Sequence, residues 1–172
     1  MKPPKFAADV MLGRLSRWLR LLGLDTFYSN RADDDFLQRL SMEEGRILLT
    51  RDTELQRRLG EGRSYLVAAG EPKAQLAEVA RVFHLDRYAA SPRAPRCVLC
   101  NGMLRDRERE EVRDRVPPYV YATQEGFSEC RDCGHVYWQG THVPRMDLFF
   151  GNLWRQLQAE RQPDPGSADR DR

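Results

Sequence analysis

All four cysteines of the chain lie in two Cys-x-x-Cys pairs, and this spacing constrains the fold more than any other feature of the sequence. The pairs are Cys97/Cys100 and Cys130/Cys133, with 29 residues between them. Two-residue spacing lets both thiolates of a pair reach one tetrahedral ion, so two pairs complete a site with four sulfur ligands. The pattern predicts a structural Zn²⁺ ion in a small ribbon, with residues 116–122 as one of its strands.

Two disulfides or a redox-active pair are the alternative uses of these cysteines. Disulfides are rare in the cytoplasm, and we expect a cytoplasmic protein because the sequence near Met1 lacks the apolar stretch and cleavage site of a secretory signal. No apolar run approaches the roughly 18 residues that a membrane helix needs, so no membrane association is expected. A thioredoxin-like pair would follow a strand and open a helix, which neither pair does.

The first 90 residues alternate short apolar runs with segments of helical periodicity. The clearest run, in residues 46–52, is Arg-Ile-Leu-Leu-Thr-Arg-Asp, which is typical of a buried strand that ends abruptly in polar groups. Four such strands alternating with four helices predict the α/β class, with a parallel sheet of about four strands flanked by helices. The predicted strands begin near Phe6, Asp25, Ile47 and Ser64.

Composition divides the chain into three predicted parts. The α/β domain covers residues 1–90, and residues 86–96 have the proline-containing composition of a linker. The cysteine ribbon covers 91–150. The remainder, 151–172, is predicted to be a C-terminal helix followed by a disordered tail from about Gln162.

Acidic residues follow the predicted strands. Asp9 ends the first strand, Asp52 ends the third, and Asp33 with its neighbour Asp34 opens the helix after the second. Since the carboxyl ends of parallel strands share one edge, these carboxylates are expected to converge. Mg²⁺ and Mn²⁺ prefer such oxygen ligands, and they can promote phosphodiester hydrolysis by water without a side-chain nucleophile.

Each of these acids also has a structural explanation, because aspartate commonly caps a helix. Other α/β chemistries fit less well. A phospho-acceptor receiver domain would need paired acids after the first strand, and a haloacid-dehalogenase-type phosphatase would need Asp-x-Asp, whereas Asp9 is followed by Val-Met. The glycine-rich dinucleotide motif and the phosphate-binding Walker loop are both missing, so no nucleotide cofactor is predicted.

The basic residues are almost all arginine. Lysine occurs only at positions 2, 5 and 73, so 25 of the 28 basic residues are arginine, although the net charge is only +2. Arginine binds phosphate in a bidentate manner and stacks on bases, which makes RNA a compatible ligand. A GC-rich genome explains the bias equally well. The candidate phosphate contacts are Arg14, Arg17 and Arg51.

An ordered set of motifs resembles one known family. The segments that carry the resemblance are residues 6–23, 33–37, 45–52, 96–101 and 130–142. In this order they closely resemble the Mut-seven C-terminal RNase family, over about residues 5 to 147.

The resemblance implies a PIN-like ribonuclease domain with a zinc ribbon, acting on RNA with Mg²⁺ or Mn²⁺. Its acids match Asp9, Asp33 or Asp34, and Asp52, and a further acid nearer the C-terminus has only Glu71 and Glu78 as candidates. Transfer and ribosomal RNA are the candidate substrates. The alternative function is a non-catalytic RNA- or ribosome-associated binding module that uses the ribbon and the arginines. Neither function specifies an oligomeric state.

Overall fold

The computed structural model describes residues 2–88, 94–138 and 143–161. Two units are distinguished, Met1–Gly140 and Thr141–Arg172. The helices and strands, in chain order, are β1 (Phe6–Ala8), α1 (Gly13–Leu21), β2 (Thr26–Tyr28), α2 (Asp34–Glu44), β3 (Ile47–Thr50), α3 (Thr53–Leu59), β4 (Ser64–Leu66), α4 (Pro72–Val82), β5 (Leu104–Arg107), α5 (Pro118–Thr123), β6 (Phe127–Cys130), β7 (Val136–Trp138) and α6 (Val143–Arg161).

The second unit contains α6, and the predicted domain limit at residue 150 falls inside this helix. The predicted disordered tail lies outside the described residues, as do residues 89–93 of the predicted linker. Among the helices described, none is long and apolar enough to cross a bilayer.

The first four strands form one parallel sheet in the order β2-β1-β3-β4, which confirms the predicted α/β class. From β1 the chain first forms β2 on one side of β1. It then forms β3 and β4 on the other side of β1. The neighbouring strands β1 and β3 therefore flank the point where the strand order reverses. In open α/β sheets the crevice at the carboxyl ends of such strands is the usual ligand site.

The strands are apolar on both faces because helices cover both. On one face Ala7 and Leu48 pack with Leu37 of α2 and Leu55 of α3, and all four are buried. On the other face α1 packs against α4, and the ring of Phe6 meets that of Phe83 edge to face at 5.2 Å. Full burial on both faces explains why β1 and β3 lack the polar alternation of a half-exposed strand.

Aspartate and glycine set the limits of the helices on the first face. Asp33 precedes α2, and its carboxylate accepts a hydrogen bond from the backbone N–H of Phe36 at 2.7 Å. The helix ends at Gly45, whose φ of 62° is a left-handed conformation that glycine adopts without strain. The prediction that Asp33 opens this helix is thus confirmed.

The ribbon is a three-stranded antiparallel sheet in the order β5-β6-β7. Its small apolar core consists of Val112, Val116, Phe127 and Val136. The prediction of a strand over residues 116–122 is wrong, because a 3₁₀ helix covers Arg109–Arg115 and α5 follows. Two consecutive prolines explain the error: proline has no N–H for a strand ladder and is well suited to the first turn of a helix.

A buried arginine joins the ribbon to the α/β sheet within the first unit. Arg20 of α1 is only 2% exposed. Its Nε donates to the carbonyl of Thr26 at 2.9 Å, and its Nη1 donates to the carbonyls of Val98 and Leu99 at 2.8 and 3.2 Å. These last two residues lie between Cys97 and Cys100, so one guanidinium connects α1, β2 and the first cysteine turn.

Asn101 adds a second connection beside the first. Its side-chain oxygen accepts from the N–H of Thr26 at 3.0 Å, and its nitrogen donates to Asp25 at 2.8 Å. Arg46 also binds this carboxylate at 2.7 Å. Burial alone would raise the pKa of Asp25, but the bonds from Arg46 and Asn101 outweigh it and leave the pKa below its usual value.

We expect Arg20→Met to lower the free energy of unfolding of the zinc-loaded protein by at least about 2 kcal/mol. The reason is that three carbonyl oxygens lose a charged donor, and an unsatisfied buried acceptor costs about 1–3 kcal/mol. Urea unfolding followed by circular dichroism measures the change. Arg39→Met is the control, since Arg39 is an exposed residue of α2. Equal midpoints for the two variants would show that the connection contributes nothing.

Candidate active site and metal centre

The structure brings the four cysteines together. One Sγ atom from each lies within 4.8 Å of the other three, with 3.6 Å between Cys97 and Cys133 and 3.4 Å between Cys100 and Cys130. All four thiols are free, so the disulfide alternative does not apply. Cys97 and Cys130 are buried and the other two are exposed. Four close sulfur atoms fit a tetrahedral ion such as Zn²⁺ and leave no position for a substrate.

Left-handed backbone conformations make both cysteine turns possible. The residue after each pair, Asn101 or Gly134, has a φ of 72° or 71°. Gly102 is required for a different reason: a Cβ atom there would lie 2.7 Å from the Sγ of Cys130 and 2.5 Å from the carboxylate of Asp132. The glycine thus lets one turn approach the other closely enough for the sulfur atoms to meet.

The thiols influence each other's ionisation strongly. Although the Cys100 residue is exposed overall, local desolvation raises the pKa of its thiol to about 12. The three neighbouring thiols add to the increase, and the N–H of Gly102 opposes it. Burial would also raise the pKa of Cys97, but a hydrogen bond with the Tyr137 hydroxyl and backbone N–H groups lower it to about 6. A metal ligand must be deprotonated, so only a bound cation would hold Cys100 as a thiolate, and the four-cysteine cluster is compatible with Zn²⁺ in that position.

We expect Gly102→Ala to weaken zinc retention at least about 10-fold, because groups that support a metal ligand typically contribute 10- to 100-fold in affinity. The added methyl group would displace the sulfur of Cys130. Competition with a chromophoric zinc chelator measures the affinity. Gly151→Ala is the matched control, since a Cβ atom there meets nothing within 4 Å. Unchanged zinc affinity for Gly102→Ala would contradict the close approach of the two turns.

The second group of predicted site residues lies at the carboxyl ends of β1 and β3. Asp9 follows β1 directly and is only 6% exposed. The hydroxyl of Thr50, the last residue of β3, donates to the Oδ2 of Asp9 at 2.9 Å and accepts from the N–H of Asp52 at 2.9 Å. A single threonine therefore connects the two predicted acids across neighbouring strands. From the sequence alone, this threonine is only the end of a strand, and its contact with Asp9 is not indicated.

The carboxylate of Asp52 has a structural task as well. Its Oδ1 accepts from the N–H groups of Glu54 and Leu55 at 2.7 and 3.1 Å, which caps α3. These bonds fix the orientation of the carboxyl group at the sheet edge. Capping and ligand binding are compatible uses, because a carboxylate has two oxygens and about four lone-pair positions.

The acids at the start of α2 face different groups. Asp33 caps the helix, whereas Asp35 binds Arg58 at 2.8 Å. Asp34 interacts with Asp9 and Asp52: the pKa of this carboxyl is raised first by partial burial and then by those two negative charges, which outweigh Arg58 at 3.9 Å. The structure thus connects Asp34 electrostatically with the acids at the strand ends.

The described part of the chain has one group of three or more metal-ligating side chains close enough to share an ion, and that group is the cysteines. The acids are thus spaced more openly. Glu78, a candidate for a fourth acid, is occupied: it accepts from the Tyr65 hydroxyl and from the N–H groups of Ala68 and Ala69 at 2.8–2.9 Å. Its task is to hold the loop between β4 and α4. Glu71 is exposed at the start of α4.

The three predicted phosphate-binding arginines line one open groove at the same end of the sheet. Arg14 and Arg17 come from α1, and Arg51 comes from the segment between Thr50 and Asp52. The groove has a volume of about 420 Å³. The structure therefore groups these arginines, although nothing in their sequence spacing connects Arg51 with the other two.

We expect Asp34→Asn to raise the thermal midpoint slightly in the absence of divalent ions other than zinc. The folded protein holds the Asp34 proton more tightly than the unfolded chain does, so this carboxyl lowers stability as pH rises through its pKa. Asparagine removes that penalty, by less than about 1 kcal/mol because the group is exposed. The increase should be present at pH 7 and disappear in acid, as differential scanning calorimetry can measure. A lower thermal midpoint for Asp34→Asn at pH 7 would contradict an unfavourable charge at Asp34.

The cysteine cluster and the acidic sheet edge both lie in the part of the chain that matches a known family. Residues 4–150 match the family described as Mut7-C RNAse domain. Neither a curated protein nor a solved structure matches the chain. The family match covers the parallel sheet, the acids at its edge and both cysteine pairs, and it agrees with the resemblance found in the sequence. The chain belongs to the Mut7-C RNAse domain family.

Proposed function

We propose that the protein is a metal-dependent ribonuclease that hydrolyses RNA phosphodiesters at the sheet edge. The observation that carries the proposal is the hydrogen-bonded path from Asp9 through Thr50 to Asp52, at the point where the strand order reverses. The family match supports RNA as the substrate. Three acids and three arginines at one end of the sheet fit a reaction in which a charged phosphate is positioned beside a bound cation.

The donor set fits Mg²⁺ or Mn²⁺. Asp9, Asp34 and Asp52 offer hard oxygen atoms, with Asp33 next to them, and Mg²⁺ typically uses one or two carboxylates together with water and substrate phosphate. Because the acids do not form a close group of three ligands, the ion would need water and substrate phosphate to complete its coordination. The raised pKa of Asp34 supports such an ion, because a divalent cation relieves the repulsion among the acids. When bound, such an ion activates water and stabilises the leaving oxygen.

The residues of the chain orient the reacting groups. Thr50 holds the Asp9 carboxylate in place, and the first turn of α3 holds that of Asp52. Arg14, Arg17 and Arg51 bind the phosphates of the strand. In the hydrolysis a water oxygen bonds to phosphorus and the bond to one ester oxygen breaks. One proton of the water goes to the departing oxygen, and the phosphate stays on the other fragment.

A non-catalytic RNA-binding module is the second candidate. The observation in its favour is that Glu78 is used in a loop, which leaves only the exposed Glu71 as a candidate for the fourth acid. Such a module would use the same arginines and the zinc ribbon, with ribosomal or transfer RNA as its partner. Cytoplasmic localisation and the domain limits 1–90, 91–150 and 151–172 stay predictions.

The decisive experiment compares cleavage of labelled RNA by the zinc-loaded protein with added Mn²⁺. We expect Asp9→Asn and Asp52→Asn to lose more than about 100-fold in rate, since loss of even a supporting partner of a metal site costs about 10- to 100-fold. The matched control is Asp35→Asn, because the Asp35 carboxylate pairs with Arg58. We expect this control to retain most of the wild-type rate.

Two outcomes would reject the proposal that the protein is a ribonuclease. Equal residual cleavage by wild type and both variants would indicate a contaminating nuclease. Binding of RNA without any Mn²⁺-dependent turnover would favour the binding module.

A further inference from the structure

We propose that the groove formed by Arg14, Arg17, Arg51, Val10, Met11 and Tyr28 is a subsite for one nucleotide of the bound RNA strand, with its phosphate on the arginines and its base on the apolar residues. The inference deepens the proposed function, and it depends on that function only for the position of the subsite beside the cleaved bond.

Unpaired positive charge is the first reason. Within the described residues, none of the three groove arginines forms an ion pair with a carboxylate, whereas Arg46, Arg58 and Arg107 all do. Arg14 and Arg17 are three residues apart on α1 and therefore share one face of the helix. Three exposed guanidinium groups around one cavity repel each other, and an anion such as phosphate relieves that repulsion.

Exposed apolar surface in the same groove is the second reason. Met11 is 62% exposed and Val10 is 44% exposed, and both follow Asp9 directly in a 3₁₀ turn. Large apolar side chains at a charged cleft fit a ligand that is itself partly apolar. A nucleotide combines an apolar base with an anionic phosphate, whereas inorganic phosphate would leave these side chains without a partner.

Tyr28 provides a positioned aromatic ring. Its hydroxyl donates to the carbonyl of Val10 at 3.2 Å, so the ring is held against the turn that carries the apolar side chains. The close approach depends on Gly13, because a Cβ atom there would lie 2.6 Å from the tyrosine oxygen. A half-buried ring of fixed orientation offers a platform on which a base can stack without sequence preference.

The third reason is that residues of the groove are direct sequence neighbours of the proposed catalytic acids. Val10 is the next residue after Asp9, and Arg51 is the residue before Asp52. Part of the groove is thus carried by the same two strand ends as the acids, and the rest comes from α1 and β2. A strand whose phosphate lies at the acids would place an adjacent nucleotide in the groove. The volume of about 420 Å³ lies within the usual range of about 300–1,000 Å³ for small-ligand sites.

The test measures binding of a fluorescein-labelled single-stranded RNA oligomer by anisotropy, using the zinc-loaded 172-residue chain without added Mg²⁺ or Mn²⁺. We expect Arg51→Gln to weaken binding about 5- to 10-fold and to reduce the salt dependence by about 0.7 in log K against log salt, the value for one phosphate of a single strand. We expect Met11→Ser to weaken binding without changing the salt dependence. An abasic oligomer with the same backbone should be insensitive to Met11→Ser.

Two exposed residues of α2 provide the matched controls, Arg39→Gln and Met42→Ser, since Met42 is 56% exposed, much like Met11. The subsite is rejected if the groove variants bind as tightly as these controls, or if Met11→Ser affects the abasic oligomer equally. Cleavage with Mn²⁺ is measured separately. Turnover by wild type with no groove effect would reject the subsite alone. A groove effect without turnover would reject the nuclease and leave an RNA-binding groove.

Discussion

The buried guanidinium of Arg20 is the interaction on which the first unit most depends. It supplies hydrogen bonds to carbonyl oxygens on both sides of the boundary between the parallel sheet and the cysteine turns. Burial lowers the pKa of Arg20, and the negative charges of Cys97 and Cys100 oppose that shift. Negative charge on these sulfur atoms thus favours the charged guanidinium, which in turn donates to the carbonyls of their loop. A zinc ion with four thiolates carries net negative charge, so this arginine is also its electrostatic complement.

A few aspartates at the carboxyl ends of the parallel strands are enough to form a negatively charged centre. Asp33 and Asp52 each cap a helix, so helix initiation itself places carboxylates at the strand ends. Asp9 is buried there, and its bond from Thr50 gives it a fixed partner. The cost of gathering negative charge is visible at Asp34, where partial burial and then repulsion from Asp52 and Asp9 raise the pKa. The helix caps and the bond from Thr50 thus hold the carboxylates close together despite their repulsion, which a bound cation would reduce.

Much of this organisation was predictable from the sequence. Apolar runs identified all four parallel strands, and the two cysteine pairs identified the metal centre, because both depend on local spacing. Long-range partners were not predictable: nothing local indicates that Arg20 bonds to residues 98 and 99, or that Glu78 holds the β4–α4 loop. The error at residues 116–122 had a different origin. Apolar and aromatic residues suggested a strand there, and two prolines overrode that propensity.

The location of Arg20 on α1 has a consequence for the way in which the protein responds to metal loss. The same nine-residue helix carries Leu15 and Leu19 into the sheet core and presents Arg14 and Arg17 to the groove. If the cysteine turns open, the helix loses two of its tertiary hydrogen bonds at once, those from Arg20 to the carbonyls of Val98 and Leu99. Cysteine turns, α1 and the basic groove would then behave as a single foldon, a segment that opens and closes as one.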